Sequence, residues 1–535
     1  MAGAAAAPGG ASAPAAPTAS AGSGGGTTTN ADGQVMLSTR RQWLAGVVMA
    51  LSNFMVILDL TIANVSVPHI AGDLGITMDQ GAWIITSYAV AEAICVPLTG
   101  WLAARFGSVK VFVSAMLGFG MMSLACGLSP TLGALVAARI GQGLFGAPLM
   151  PMTQALMLRV FPPERRTKAI AIWASTTLLA PALGPIIGGY ISDNYSWHWI
   201  FLINVPIAIA CTAAAVFLLR PVESQTVRMP IDKIGLVLLV FWIGCLQIML
   251  DIGRDHDWFG DWKIVGLAMA AGIGFIVFVI WELTEEHPIV DLRIFRHRGF
   301  TLAVVTLAAT FGSYFASIVV IPQWLQSSQG YTAFDAGMVT AFTALTSLVT
   351  AFTLPRWIDK VDLRIPITLG IAWFLGQTLV RSTWSTGMDF WSLAMPQIIQ
   401  GFGISMFMMP LTQMSLSSVE PHEVPGAAGL QNFLRTMSIA VATSLILTDW
   451  GNQQRVAQNE MANILQPDAT MATLNQAGFS DEAGRQIISN LVTEQAVTVA
   501  MNHTSLMAAI VTFATIGLVW LGPRPKSLGV QGGGH

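Results

Sequence analysis

The chain has 535 residues, of which 53% are hydrophobic and only 10% are charged. Because soluble domains carry about 25% charged residues, this composition argues against a soluble enzyme. The net charge of −3 gives no sign of nucleic-acid binding. A membrane-spanning helix needs about 20 mostly apolar residues, so the hydrophobic residues suffice for on the order of 14 spans. Composition therefore predicts an all-α polytopic membrane protein.

Residues 1–35 are almost entirely Ala, Gly, Pro, Ser and Thr, which predicts a disordered tail and not a signal peptide. Apolar stretches of spanning length follow along the rest of the chain. Their number is even, so both termini are expected on the same side of the membrane. The fourteen predicted spans are 43–67, 82–102, 110–129, 132–157, 168–190, 199–219, 233–250, 264–284, 300–324, 336–358, 365–384, 391–417, 424–448 and 503–521.

Lys and Arg are concentrated in alternate loops, which is the pattern of the cytoplasmic face of a membrane protein. Nineteen of the 26 basic residues lie in these loops and tails, five lie in the opposite loops and two lie inside spans. We therefore predict that the tails 1–35 and 522–535 are both cytoplasmic. The basic residues expected on the opposite face are Arg254, Lys263, Arg381, Arg455 and Arg485.

One motif occurs twice in the chain. RIGQGLFGAPLMPMTQ begins at Arg139, and QIIQGFGISMFMMPLTQ begins 258 residues later at Gln397. Two related halves are typical of transporters, whose binding site lies at the repeat interface near the bilayer midplane. The sequence thus predicts an N-terminal half of six helices over 43–219, an extra helix pair over 233–284 and a C-terminal half of six helices over 300–521.

Four charged side chains are the clear cases of a charge well inside a predicted span, where it costs about 2.5–3.5 kcal/mol and usually has a use. They are Asp59, Glu92, Arg139 and Arg435. An acid that alternately gains and loses water or a cationic neighbour can bind and release a proton in each cycle. We predict this role for Asp59 with Arg139 as its partner; the alternative is a static ion pair that fixes helix packing. Glu92 is either a second proton or cation site or a structural acid hydrogen-bonded near Tyr88.

The segment GQGLFG, residues 141–146, has the spacing of a dinucleotide-binding loop. It lies inside a predicted span and does not follow a strand, so a dinucleotide site is not expected. Gly143 and Gly146 instead leave a groove beside Arg139, or serve close helix packing.

The segment APALGPIIGG, residues 180–189, repeats a small residue every fourth position. Such spacing lets another helix backbone approach closely. Pro181 and Pro185 remove backbone donors and favour a bend. This pattern predicts a bent helix whose bare face slides, as a gate, against the opposite half.

Together these motifs resemble the 14-helix drug:proton antiporters of the major facilitator superfamily, from about Arg41 to the C-terminus. LDLTIANVSVP, residues 58–68, is similar to the first-helix signature of that family. GWLAARFGSVK, residues 100–110, resembles its loop between helices 2 and 3, although Ala104 stands where the superfamily pattern has Asp. The resemblance implies functional positions at Asp59, Arg139, Gln142, Gly143, Gly184, Pro185, Gly188 and Gly189, with Asn64, Arg105, His198 and Arg435 as secondary candidates.

Two secondary candidates have weaker motifs. His198 lies in WHWIFLINVP, where the family often has Arg, and it is either a titratable group or a structural residue of a helix entry. Arg435 lies in NFLRTMSIA, which matches only the beginning of a motif of the C-terminal half.

The resemblance also implies a function: proton-driven export of amphipathic drugs and uncoupler-like compounds across the bacterial inner membrane, in contact with membrane lipids. The proton is the coupling ion, and no metal or other cofactor is expected. The chain lacks a P-loop, which agrees with transport driven by an ion gradient.

The family resemblance further implies a tripartite pump with a periplasmic membrane-fusion adaptor and an outer-membrane channel. The polar segment 449–502 lies between the last two predicted spans, on the non-cytoplasmic face. It is the candidate adaptor contact, and a solvated cap over the exit is the alternative reading.

Other functions remain open on the sequence. An exporter of an endogenous metabolite or lipid would have the same fold and need no adaptor. A membrane-embedded enzyme would need clustered His, Asp or Ser, and the eight His residues are scattered, so an enzyme is not expected. A sensor or scaffold that does not transport would have no need of Asp59.

Overall fold

The computed structural model describes residues 27–29, 35–227, 230–253, 258–356, 358, 361–464, 467–477 and 479–522. Apart from one strand pair, the regular structure of these residues is helical. Several spans are divided where proline removes a backbone donor, as at Pro97 and Pro148. The helices of the N-terminal half are α1 (Thr39–Leu74), α2 (Met78–Cys95), α3 (Thr99–Phe106), α4 (Ser108–Gly127), α5 (Leu132–Gly146), α6 (Leu149–Val160), α7 (Pro163–Asn194), α8 (His198–Leu202) and α9 (Asn204–Leu219).

The extra pair and the C-terminal half follow in chain order. Helix α10 packs on α11 and also contacts α2 and α16, so the pair touches both halves. In the C-terminal half, α13 packs against α15 and α12 packs against α16. These helices are α10 (Lys233–Ile252), α11 (Trp262–Thr284), α12 (Arg298–Ser328), α13 (Ala333–Thr353), α14 (Arg364–Arg381), α15 (Phe390–Ser417), α16 (Val424–Ile464), α17 (Pro467–Gln476) and α18 (Asp481–Leu521).

The predicted spans are helical in the residues described. Eleven helical segments are long and apolar enough to cross a membrane, and a twelfth is added if the bent helix α7 counts as one span. The predicted spans at 365–384 and 391–417 are helical as α14 and α15 but are not among those twelve. The polytopic helical architecture is confirmed, while the total of fourteen spans stays a prediction.

Short polar side chains define where many helices begin. Thr77 forms a capping box with Gln80 at the start of α2. Asp232, Asp389 and Ser480 accept backbone N–H bonds at the starts of α10, α15 and α18. These caps satisfy donors that the first helical turn leaves unpaired, and they place the helix ends next to the apolar runs.

A short strand pair precedes α1. Thr27–Thr29 pairs antiparallel with Val35–Leu37, inside and beside the segment 1–35 that the sequence predicts to be disordered. β-Branched Thr and Val favour extended backbone, which suits this pairing. Residues 1–26 and 30–34 lie outside the described residues, as does the predicted C-terminal tail from 523 onward.

The segment 449–502, expected as a loop, is largely helical. Helices α16 and α18 each have 41 residues, which at 1.5 Å per residue is about 60 Å. The hydrocarbon core of a bilayer is only about 30 Å thick, so both helices extend well beyond it. The connection between the last two spans is therefore helical over much of its length, which its content of Ala, Gln, Glu and Met, all good helix formers, favours.

Candidate functional site

The centre of the N-terminal half holds a buried ion pair. Asp59 of α1 and Arg139 of α5 are 2% and 0% exposed. Arg139 Nη1 donates to Asp59 Oδ2 at 2.7 Å. The structure therefore places in direct contact the two residues that the sequence singled out as partners.

The second carboxylate oxygen of Asp59 accepts two further bonds. Gln142 Nε2 donates to Oδ1 at 3.0 Å, and Asn204 Nδ2 donates to the same atom at 2.7 Å. Ser123 Oγ accepts from both amides at 3.1 Å and donates to the Phe201 carbonyl at 3.0 Å. The cluster thus joins α1, α4, α5, α8 and α9. Sequence reasoning missed Ser123 and Asn204; the available signal was a polar residue among mostly apolar neighbours.

Arg139 has partners besides the carboxylate. Its Nε donates to the Ile84 carbonyl at 3.1 Å, and its Nη1 also donates to Gln142 Oε1 at 2.8 Å. Its guanidinium carbon lies 4.3 Å from the centre of the Tyr88 ring, a cation–π contact. If Asp59 becomes neutral, the guanidinium therefore keeps the hydrogen bonds to Ile84 and Gln142 and the contact with Tyr88. When the carboxylate binds a proton, Arg139 loses its counter-ion but keeps these other contacts, which reduces the cost of that step.

The glycines of α5 allow α2 to pack closely beside the ion pair. A Cβ at Gly143 would lie 2.5 Å from the Tyr88 carbonyl oxygen and 3.2 Å from the Glu92 nitrogen. A Cβ at Gly146 would lie 2.9 Å from the Tyr88 hydroxyl. Helix α2 thus fills the expected groove beside Arg139. GQGLFG is a helix-packing surface, as the second of the two readings proposed.

Glu92 is buried in α2, one turn after Tyr88. The Tyr88 hydroxyl makes no hydrogen bond to any residue that the structure describes, so it is not the partner of Glu92. The cations whose charges act on Glu92 are Arg435 and Arg139. Because these belong to different halves of the molecule, Glu92 lies in the field of both.

Arg435 of α16 lies at the contact between the two halves. Its guanidinium is 5.2 Å from the ring centre of Phe311 in its own half and 5.7 Å from that of Trp173 in the other half. Its Nη2 also contacts the sulfur of Met150 in α6. As a secondary candidate it therefore has the position of a side chain that joins the halves.

The two halves also meet at their predicted cytoplasmic ends. A Cβ at Gly100 of α3 would lie 2.6 Å from the Cα of Gly426 in α16. Nearly two helix turns further along α16, Asn432 Nδ2 donates to Gln154 Oε1 of α6 at 2.8 Å. Only glycine at position 100 permits this approach, so the two halves are in direct backbone contact there.

The loop motif GWLAARFGSVK lacks the usual Asp, but an acid from another segment binds to its end. Arg105 lies over the Trp101 ring at 5.6 Å. The carboxylate of Glu223, from the segment after α9, accepts the Val109 and Lys110 backbone N–H groups at 2.9 and 3.1 Å. An acid at a helix N-terminus is stabilising, so Glu223 fixes the start of α4. Nothing in the motif itself points to a residue more than 100 positions away.

The small-residue face of α7 packs against α1 of its own half. A Cβ at Gly188 would lie 3.1 Å from the Ile62 carbonyl oxygen, and one at Gly184 would collide with Thr61. Gly189 faces open space, with no atom within 4 Å among the residues described. The expectation that the bare face slides against the opposite half is therefore corrected: on that side, α7 contacts α13.

The expected bend of α7 is present. The parts Pro163–Pro181 and Ile186–Asn194 are inclined to each other by 44°, as two prolines predict. Pro181 faces a cavity of the C-terminal half. The side chain of Pro185 lies outside the side chains described.

The remaining secondary candidates lie apart from the cluster. Asn64 is exposed on α1. The His198 ring stacks on Trp197 at 3.7 Å between ring centres, and its Nδ1 is 2.7 Å from the Ser196 hydroxyl. Trp197 in turn donates to Asp73 at 2.8 Å, so His198 has the structural setting of a helix entry.

One basic residue was assigned to the wrong environment. Arg381, counted among the basic residues of the non-cytoplasmic loops, is the last residue of α14 and is only 1% exposed. Its Nη2 lies 3.4 Å from Gln397 Oε1. Gln397 occupies the repeat position of Arg139, and this correspondence was the available signal for a second polar site. Arg381 was assigned to a loop because it lies near the end of a predicted span, and that position does not show that its side chain faces the protein interior.

Comparison with known proteins agrees with this architecture. The family model described as Major Facilitator Superfamily matches residues 49–443. The multidrug export protein EmrB of Escherichia coli K12 is 40% identical over 91% of this chain and 96% of its own length. EmrB of Haemophilus influenzae is 39% identical, covering 89% and 95%. The fatty acid resistance protein FarB of Neisseria gonorrhoeae is 39% identical, covering 91% and 97%.

A solved structure shares the fold. The human organic anion transporter MFSD10 superposes with a TM-score of 0.55 at 13% identity, covering 88% of this chain and 99% of its own. The family match and the named relatives are those of membrane transporters and not of enzymes. The chain belongs to the major facilitator superfamily and, within it, to the family of the EmrB multidrug export proteins.

Proposed function

We propose that the protein is a proton-coupled multidrug efflux transporter of a bacterial inner membrane, with both termini in the cytoplasm. The observation that carries this proposal is the buried Asp59–Arg139 pair. Its carboxylate accepts bonds from three side chains, and its guanidinium keeps other partners when the carboxylate is neutral. The similarity to multidrug export proteins supports drugs as the substrate class, and we take these to be amphipathic.

In the proposed cycle, protonation of Asp59 loosens α1 from α5. The charged pair joins two helices through a 2.7 Å bond, and a neutral acid binds Arg139 much less strongly. Helix α1 packs against α6 and α7, which carry the Met150 and Trp173 contacts of Arg435. Loss of the proton to the cytoplasm restores the pair, so each proton is linked to one change of access.

The proton gradient supplies enough energy for such a pump. One charge moved through about 100 mV gives about 2.3 kcal/mol, and one pH unit adds about 1.4 kcal/mol. Together these sustain a drug gradient on the order of several hundred-fold per proton.

The test uses purified protein in proteoliposomes and a pH-sensitive dye. Adding drug on one side of the membrane should drive proton movement in the wild type and not in Asp59→Asn. Asp73→Asn is the matched control, because it is the same substitution on the same helix at a residue that bonds only to Trp197 in the structure described. Drug-driven proton movement that persists in Asp59→Asn would contradict the proposal.

We also propose that the protein works in a tripartite pump, with an EmrA-type adaptor and a TolC-type channel. The support is the helical hairpin formed by the ends of α16 and α18 with α17, which extends beyond the membrane. Deleting residues 466–489 should abolish adaptor capture in a pull-down, whereas deleting 523–535 at the opposite face should not. Unchanged capture after the first deletion would leave the hairpin as a solvated cap.

A further inference from the structure

A small cavity lies where α7 of the N-terminal half meets four helices of the C-terminal half. Its volume is ≈ 20 Å³, which is enough for about one or two water-sized groups. Its polar lining comes from α12, α13, α14 and α15. The side chains that matter are Pro181, Tyr314, Thr343, Arg381, Gln397 and Gln400.

Arg381 is the unusual member of this lining. Its Nη2 has one long bond, to Gln397 Oε1 at 3.4 Å, and its Nε and Nη1 have no hydrogen-bond partner among the residues described. Among the residues that the structure describes, no carboxylate forms an ion pair with Arg381. A buried cation without a counter-ion costs several kcal/mol of folding free energy. The protein nevertheless keeps Arg381 at this position.

Gln397 adds a second free donor beside Arg381. Its Oε1 already accepts from Thr343 Oγ1 at 3.2 Å and from Arg381, while its Nε2 has no partner among the described residues. Gln400 contributes an unpaired amide oxygen to the same lining. Three unpaired N–H-bearing atoms, two on Arg381 and one on Gln397, thus lie at one small cavity.

We propose that this cavity binds the anionic head group of an amphipathic substrate, a carboxylate, with Arg381 as the counter-ion and Gln397 as a second donor. Guanidinium and carboxylate form short, charge-assisted and often bidentate bonds. The cavity has room for the head group alone, so the apolar tail would lie outside it, on the side of Ile318 and Ile321 of α12. The proposal rests on the proposed transport function, for which it specifies one substrate class and one contact residue.

The position of the cavity links binding to conformational change. Pro181 of the N-terminal half closes one side, and the polar groups all come from the C-terminal half. A head group bound to Arg381 therefore contacts the surface along which the halves separate. Ligand binding should favour whichever arrangement of the halves closes Pro181 over it.

The test compares three ligands with the same twelve-carbon chain: labelled dodecanoate, dodecanol and dodecyltrimethylammonium. Binding is measured on the purified full chain in detergent, without any proton gradient. The wild type should bind dodecanoate more tightly than the other two. Arg381→Gln should weaken dodecanoate binding by about ten- to a hundred-fold and leave dodecanol unchanged, and Arg381→Lys should retain part of the affinity.

Two further variants complete the design. Arg364→Gln makes the same substitution at the other end of α14 and should bind all three ligands like the wild type. Gln397→Glu places a carboxylate beside Arg381, and this internal counter-ion should exclude dodecanoate while the protein stays folded. Equal dodecanoate binding in the wild type and in both cavity variants, or an equal loss of all three ligands, would overturn the proposal.

The outcome is independent of proton coupling. If anion binding depends on Arg381 but no drug moves protons in proteoliposomes, the antiporter function fails and the anion site stands. If drug-driven proton movement is intact but dodecanoate binding does not depend on Arg381, the proposed anion site is wrong and the proposed antiporter function is retained.

Discussion

The two halves each bury an arginine, and the two arginines have opposite surroundings. Arg139 has a carboxylate partner at 2.7 Å, a backbone carbonyl and an aromatic ring. Arg381 is as deeply buried but has one long bond to an amide and, within the described residues, no carboxylate. Arg139 forms an ion pair within the protein, whereas Arg381 is available as the counter-ion of a bound anionic substrate.

The repeat makes this difference more informative. Gln142 and Gly143 correspond to Gln400 and Gly401, each 258 residues later, but Arg139 corresponds to Gln397. The halves therefore share the packing residues of the motif and differ in where they hold charge. We infer that the N-terminal half specialises in the coupling proton and the C-terminal half in the substrate.

The largest expected effect is the difference in stability between variants that replace Arg139 and Arg381. Arg139→Gln leaves Asp59 buried without its counter-ion, which should destabilise the protein by about 3–5 kcal/mol. Arg381→Gln removes an unpaired buried cation, so the change should stay within about 1 kcal/mol or be stabilising. Thermal unfolding in detergent measures both. Equal losses in the two variants would break the comparison.

A smaller effect tests what the two halves share. A Cβ at Gly143 would meet the Tyr88 carbonyl oxygen, and one at Gly401 would collide with the Thr343 carbonyl oxygen. Because backbone cannot move aside cheaply, Gly143→Ala and Gly401→Ala should each cost about 1–3 kcal/mol in unfolding free energy. Gly189→Ala, in open space within a helix, is the control and should be neutral or slightly stabilising.

The smallest effect concerns a carboxylate outside the membrane. Burial raises the pKa of Glu423, but the Glu420 backbone N–H and the nearby His297 and Arg296 together lower it by more, so the net pKa is below its usual value. This stabilisation is complete above about pH 4.5 and is lost as the pH falls through the lowered pKa. Glu423→Gln should cost about 1 kcal/mol at neutral pH and nothing in strong acid.

The matched control for that variant is Glu420→Gln. The Glu420 side chain is 57% exposed and lies 4.0 Å from Arg296, so its loss should change the melting temperature very little. A cost of Glu423→Gln that does not vary between neutral and acid pH would show that packing, and not charge, holds this contact.

The sequence predicted the transporter fold, the helix positions and the partnership of Asp59 with Arg139, because charges inside apolar spans are rare and costly. It could not predict Ser123 and Asn204, since their contacts depend on which helices become neighbours. It misassigned Arg381, because a residue near the end of a span can face water or the protein interior. The sequence also could not give the lengths of the helices within 449–502, because polar residues continue α16 and α18 beyond their apolar spans.

The most direct test of the central claim separates exchange from coupled transport in Asp59→Asn. Proteoliposomes are loaded with unlabelled drug, and uptake of labelled drug is measured without and with a pH gradient. The account predicts that exchange at equal pH continues and that accumulation driven by the gradient falls to the level of protein-free vesicles. Gradient-driven accumulation at the wild-type level would contradict the assignment of Asp59 as the proton carrier.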